Sequence, residues 1–227
     1  MQMGRKYQIE RAEVLRYLGY SGQGVDESLL GRVDDIVARC QMMSNPGYVY
    51  RLFPVEERRD AICLAGTTLE LKGASIAGHL HGARECAVMV ATAGLGNERE
   101  LRRLSLLNGL DGMVFDAAGS ALAEAVADAC NARIVADARE RGLYAKWRFS
   151  PGYGDLPLSL QPAIVQVVAA DKRLGVTVTD ANLLIPAKSV TAFVGLFDTP
   201  QDDKRTCADC DFAPYCELLK RGTPCYR

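Results

Sequence analysis

An α+β fold with an antiparallel or mixed sheet is predicted by three observations on this 227-residue chain. Strand-like and helix-like stretches mix without a regular βαβ repeat. The run Cys86–Thr92 is continuously apolar, the pattern of a strand buried on both faces. An alanine-rich segment from about Met113 to Arg139 keeps helical spacing throughout.

The elements follow in order. Residues 8–20 put Ile9, Ala12, Val14, Leu15 and Leu18 at helical spacing, and Gly19 closes the segment. Asp26 begins a second helix, with Leu29, Leu30, Val33, Ile36, Val37 and Cys40 on one stripe. Pro46-Gly47 breaks the chain. Tyr48–Phe53 and Ala61–Leu71 are predicted as strands, and Ser75 as the cap of a short helix through Leu80. After the Cys86–Thr92 strand come a helix over Glu98–Leu107 and then the long alanine-rich one. Lys146–Ser150 is predicted as a short strand, Leu158–Ala170 as a helix, and Gly175–Thr179 and Ser189–Phe197 as the last strands. The polar stretch Asp198–Lys204 marks the edge of the core. The expected organisation is N-terminal helices at 1–45, an α+β core at 46–198 and a cysteine-rich tail at 199–227.

Hydrophobic residues make up 48% and charged residues 24%, which suits a chain with one well-filled core. The net charge of -1 argues against a nucleic-acid surface. Arg99, Arg102 and Arg103 do cluster, but Glu98 and Glu100 interleave with them, as on a solvated helix face. No apolar run reaches membrane-span length, and Met-Gln-Met-Gly-Arg-Lys leads into amphipathic sequence. The expectation is a cytoplasmic protein with no membrane partner. In that compartment its eight cysteines are thiols or metal ligands rather than disulfides.

Five patterns carry candidate chemistry. In Arg148-Phe-Ser150-Pro-Gly152-Tyr153-Gly-Asp-Leu-Pro157, a planar guanidinium suited to a carboxylate precedes a proline-stiffened glycine turn. Gly152 lets a flat ligand approach the main chain, and Tyr153 offers a ring. The alternative is a strand leaving the sheet through a Pro-Gly turn, with Arg148 in a structural ion pair. Cys207-x2-Cys210-x5-Cys216-x8-Cys225 forms a compact ligand set for zinc or a [4Fe–4S] cluster, or else a tail of free thiols. Cys40, Cys63, Cys86 and Cys130 lie on apolar stripes and read as small core residues. His79 and His81 would share a metal only on a strand, and the segment reads as a helix. Thr92-Ala-Gly94-Leu-Gly96 imitates a nucleotide-binding glycine loop but lacks its third glycine, so a tight strand-to-helix turn explains it better. Glu124, flanked by Ala121, Ala123 and Ala125, is either a carboxylate for an ammonium or ribose group or a surface glutamate.

Taken together, Leu122-Ala-Glu124-Ala, Arg148-x3-Gly152-Tyr153, and Gly175-x-Thr177-x-Thr179 leading to Ile185-Pro-Ala-Lys188-Ser-Val190 resemble one family. It is the activation, or S-adenosylmethionine-binding, domain of cobalamin-dependent methionine synthase. The likeness covers about residues 85–197. It implies a twisted antiparallel sheet flanked by helices, with S-adenosylmethionine in a shallow groove. By this resemblance Arg148 and the backbone around Ser150 and Gly152 hold the ligand, Glu124 lies beside it and Tyr153 packs nearby.

The implied role is reactivation. A corrinoid that has slipped from Co(I) to inert Co(II) is reduced and trapped as methyl-Co(III) by irreversible methyl transfer. The domain would then fix distance and line of approach, with no general acid or base. Two departures from the family are expected: a module standing alone, to which a corrinoid-carrying methionine synthase or methyltransferase would dock in trans, and an extra cysteine tail. A flavodoxin or ferredoxin would supply the electron. Two other readings remain: an iron–sulfur electron-transfer module for a corrinoid enzyme, and a small-molecule methyltransferase built on Gly94-Leu-Gly96.

Overall fold

The computed structural model describes residues 7–20, 22–201, 207 and 213–220. They form two compact units: Met1–Val49, Val90–Cys130 and Ala169–Val190 in one, Tyr50–Met89, Asn131–Val168 and Thr191–Arg227 in the other.

The first unit is mostly helical. Helices α1 (Arg11–Tyr17) and α2 (Glu27–Met43) pack together, and α2 also packs on α4 (Leu95–Leu107). Asp26 caps α2 as its residue type requires, accepting from the Ser28 amide at 2.8 Å. Val33, Ile36 and Cys40 form the buried stripe of α2. Helix α5 runs from Gly109 to Glu140, about 48 Å at the usual rise. Its buried residues up to Cys130 include Ala117, Ala118, Ala121, Ala123 and Ala127. Small side chains there allow close approach. A Cβ on Gly119 would lie 2.8 Å from the Asn97 side chain, and one on Gly112 would lie 2.8 Å from Ser105. Helix α7 (Ala170–Leu174) and the β6–β7 hairpin (Thr177–Val178, Leu184–Ile185) complete this unit.

The second unit is built on a six-stranded sheet of order β3-β2-β1-β4-β8-β5. The strands are β1 (Gly47–Arg58), β2 (Ala61–Leu64), β3 (Glu70–Leu71), β4 (Glu85–Thr92), β5 (Tyr144–Ala145) and β8 (Ser189–Phe197). The pairs β1–β2, β2–β3 and β5–β8 are antiparallel. The bonds Val55 N to Arg84 O and Asn45 N to Ala93 O run in opposite chain directions, as do Arg84 N to Leu196 O and Ala93 N to Lys188 O. The whole sheet is therefore antiparallel. Residues 86–92 of β4 and 191–197 of β8 are all buried, which explains their unbroken apolar runs. Helices α3 (Ala74–Leu80), α6 (Gln161–Val167) and the end of α5 belong with this sheet.

Four predicted elements differ in detail. The strand expected over 61–71 is broken at Gly66, whose φ of +75° turns the chain. Thr67 then donates to Leu64 O at 2.7 Å and accepts from the Leu69 amide, so β2 and β3 form a short hairpin instead. Ser75 does not cap α3; Gly73 holds that position and the Asp155 carboxylate supplies the acceptor. The helix expected over 158–170 becomes a 3-10 turn and α6, separated from α7 by Ala169 at φ +55°. The strand expected at 146–150 is displaced to β5, with Phe149 bridging to Phe193 alone. Among the described residues no helix is long and apolar enough to cross a membrane.

Candidate functional site

The segment Trp147–Leu158 lies in the second unit, and its geometry begins with a slip in register. Lys146 N–H bonds to Gly195 O at 2.9 Å, and Phe149 N–H bonds to Phe193 O at 2.9 Å. One residue of β8, Val194, thus faces two residues of the neighbouring chain, Trp147 and Arg148. One extra residue is accommodated between Lys146 and Phe149, the signature of a β-bulge, which re-aims side chains where it occurs. Arg148 sits in this bulge, half-buried. Trp147 and Phe149 straddle it, and both rings meet His79 of α3, at centroid distances of 4.3 and 5.2 Å. This aromatic cluster holds the segment on either side of the guanidinium stem.

Beyond Phe149 the chain turns back on itself. Tyr153 N bonds to Ser150 O at 3.3 Å, Leu156 N to Tyr153 O at 3.1 Å, and Gly152 N to Leu156 O at 2.8 Å. Gly152 has φ +92° and Gly154 φ +55°, so the turn needs glycine at both. Leu156 is buried as the plug of the turn, whereas Gly152 and Tyr153 are exposed and Ser150 is half-buried. The loop is tied down by Asp155, whose carboxylate accepts from the Ala74 amide at 2.5 Å and the Ser75 amide at 3.1 Å. Desolvation pushes the Asp155 pKa up, but the amide donors Ser75 and Ala74 outweigh it, and the group titrates below the ordinary aspartate range. Sequence reasoning did not single out Asp155. It is the only acid between Arg148 and Ala170, and its Gly154-Asp155 setting is a turn signal. Its partners, however, lie about eighty residues earlier.

Arg148, Ser150, Gly152 and Tyr153 therefore lie on one short, internally bonded loop. Glu124 belongs to the first unit, exposed on α5. Its charge acts on Tyr17 of α1, whose pKa is raised first by burial and then by this carboxylate.

The other patterns take structural places. Gly94 has φ +87°, and a Cβ on it would lie 2.2 Å from Asn45 O; one on Gly96 would lie 2.2 Å from Met43 O. The first turn of α4 is thus closed against the chain's own backbone. Asn97 is buried there and donates to Ser44 Oγ at 2.9 Å and Cys40 Sγ at 3.2 Å. The Ile185–Val190 block serves as a strap: Lys188 Nζ reaches Asp116 and Ser120 at 2.8 Å, and the Ala187 amide donates to Glu98 at 2.9 Å. His79 joins the aromatic cluster, while His81 pairs with Glu57 at 3.0 Å.

Cys40, Cys63, Cys86 and Cys130 are buried thiols. Burial pushes Cys40 up to about 11 and Cys86 up to about 12. In the tail, Cys207 and Cys216 are half-exposed, and Cys210 and Cys225 lie outside the described residues. Among the described residues no group of three or more potential metal ligands is assembled. A broad cavity of about 700 Å³ lies in the first unit along α2 and the start of α5, lined by Arg32, Asp35, Leu110 and Asp111.

No family model and no curated protein matches the chain. Among solved structures, its fold is similar to the crystal structure of the MetH reactivation domain bound to AdoHcy. The match has a TM-score of 0.64 at 14% identity and covers 94% of this chain and 83% of that one. The antiparallel sheet with its flanking helices is the fold of that domain, reached by a sequence that shares few of its residues.

Proposed function

We propose that the chain is a reactivation module that binds S-adenosylmethionine and presents it to a corrinoid carried by a partner methionine synthase or methyltransferase. One observation supports this reading above others: Arg148 and the exposed Gly152-Tyr153 turn form one rigidly bonded loop, in a fold shared with a domain crystallised with AdoHcy. The site chemistry fits a zwitterionic adenosyl ligand. The guanidinium matches a carboxylate in fork geometry. The positive-φ glycines leave main chain open to a flat group, and the Tyr153 ring, 43% exposed, can pack on it. Ser150 offers a hydroxyl and main-chain groups beside the stem.

The methyl donor, when bound, supplies an electrophilic methyl group at its sulfonium. The residues of this chain bind and orient it, and none is asked to move a proton. A flavodoxin or ferredoxin is the proposed reductant. Cys207, Cys210, Cys216 and Cys225 are proposed to hold zinc or a [4Fe–4S] cluster. If the cluster is the guest, anaerobically purified protein is brown with about four irons per chain, and Cys210→Ala loses them.

The binding assignment is tested by calorimetric titration with S-adenosylmethionine. Wild type is expected to bind, and Arg148→Ala to bind about 10- to 100-fold more weakly, the loss of a charge-assisted pair. Equal affinity in the two proteins, or none in wild type, overturns the assignment.

A further inference from the structure

We infer that Asp155 is the positioning residue of the ligand-binding loop; this rests on the reading of Arg148–Tyr153 as the S-adenosylmethionine site. Asp155 would not touch the ligand. Its carboxylate sits across two backbone amides, Ala74 and Ser75, and so fixes one end of the loop to the start of α3.

The seat for this carboxylate is built into the chain. Gly73 has φ +134°, and a Cβ there would come within 2.5 Å of Asp155 Oδ1 and 2.8 Å of its Cγ. No side chain fits at residue 73 while Asp155 is in place. Asp155 is followed by Leu156, whose amide bonds to Tyr153 O and whose carbonyl accepts from Gly152 N. Movement of Asp155 is passed through those two bonds to the residues proposed to meet the ligand. At the other end of the loop, Phe149 is fixed by its paired bonds to Phe193 and by the His79–Trp147 ring cluster. The loop is therefore clamped at both ends, and Asp155 is the clamp with a single removable group. Preorganisation of this kind raises affinity by removing the ordering cost from the binding step.

A purely structural role would act through α3, which has a second anchor. Glu57 accepts from the Gly82 amide at 2.7 Å and pairs with His81 at 3.0 Å, just past the other end of the helix. Removing either anchor weakens the hold on α3, but of the two only Asp155 is itself part of the loop.

The test is S-adenosylmethionine affinity by calorimetry for wild type, Arg148→Ala, Asp155→Ala, Asp155→Asn and Glu57→Ala, with melting temperature measured alongside. Asp155→Ala is expected to bind about tenfold more weakly, the scale of losing one preorganised loop. Asp155→Asn keeps one oxygen acceptor but sets its NH2 against the second amide donor, and is expected to lose nearly as much as Asp155→Ala. Glu57→Ala is expected to stay within about twofold of wild type, as the affinity should not follow the stability of α3. Where Asp155→Ala does not fold, Asp155→Glu serves, since one added methylene shifts the loop while keeping the charge. Wild-type affinity in the Asp155 variants, or equal losses in Asp155→Ala and Glu57→Ala, overturns the inference while leaving the Arg148 assignment intact. Absence of binding by wild type removes both.

Discussion

Two glycine turns in this molecule look alike as sequence and differ as structures. Thr92-Ala-Gly94-Leu-Gly96 leads from β4 into α4, and Ser150-Pro-Gly152-Tyr-Gly154 leads from the bulge beside β8 towards α6. In the first, the space a Cβ would occupy at either glycine is already filled by backbone oxygens of Asn45 and Met43. In the second, the nearest atom to a Cβ on Gly152 is a leucine methyl at 3.2 Å, and the turn faces solvent. A glycine turn that accommodates its own chain has no room for a ligand. One stiffened from beneath by Leu156 and Asp155 keeps its outer surface available.

The comparison can be broken first at the closed turn. Gly94→Ala or Gly96→Ala places a methyl group against a backbone carbonyl, and a loss of roughly 3 kcal/mol or more is expected in urea unfolding. A near-neutral result would mean that the 43–45 segment yields readily and that the first turn is not closed. At the open turn, Gly152→Ala forces an alanine to φ +92° against only the flexible Leu158 tip, and a smaller stability loss of about 1–2 kcal/mol is expected. The two measurements sharpen each other, because both substitutions add one methyl group at a left-handed position or a crowded one.

The acid response of the open turn follows from Asp155. Its folded pKa lies below its unfolded value, so its contribution is complete above about pH 4 and is lost as pH falls through the lower, folded value. Below about pH 4 the amide protons of Ala74 and Ser75 are expected to lose exchange protection, and in Asp155→Asn this acid-dependent step should be absent. The smallest effect concerns thiols. Cys40 and Cys86 are pushed up to about 11 and about 12 by burial, and are expected to resist iodoacetamide at pH 8, while half-exposed Cys207 and Cys216 react once the metal proposed for the tail has been removed with a chelator, as mass spectrometry of the folded protein would record.

Much of the fold was legible because hydrophobic period and burial agree along most elements. The stripe of α2, the apolar runs of β4 and β8 and the alanine-rich α5 all survive, since each is set by which face it buries. What was not legible depended on single backbone conformations and on distant partners. Nothing local distinguishes Gly66 as the residue that breaks a strand, or Ala169 as the one left-handed position that separates α6 from α7. The bulge at Trp147–Arg148 is a relation to β8, visible only once the register of the two strands is known. The site divided in the same way. Arg148, Ser150, Gly152 and Tyr153 are close in sequence and lie on one loop, whereas Asp155 escaped notice because its amide partners come from the start of α3.

The most direct measurement is the change in backbone amide resonances of isotope-labelled protein on titration with AdoHcy. Concentrated shifts are expected at residues 148–156 and at Ala74 and Ser75, with the amides of Leu95, Gly96 and Asn97 unmoved. Shifts centred on Gly94–Asn97, or no saturable shifts at all, would contradict the assignment of ligand binding to the open turn.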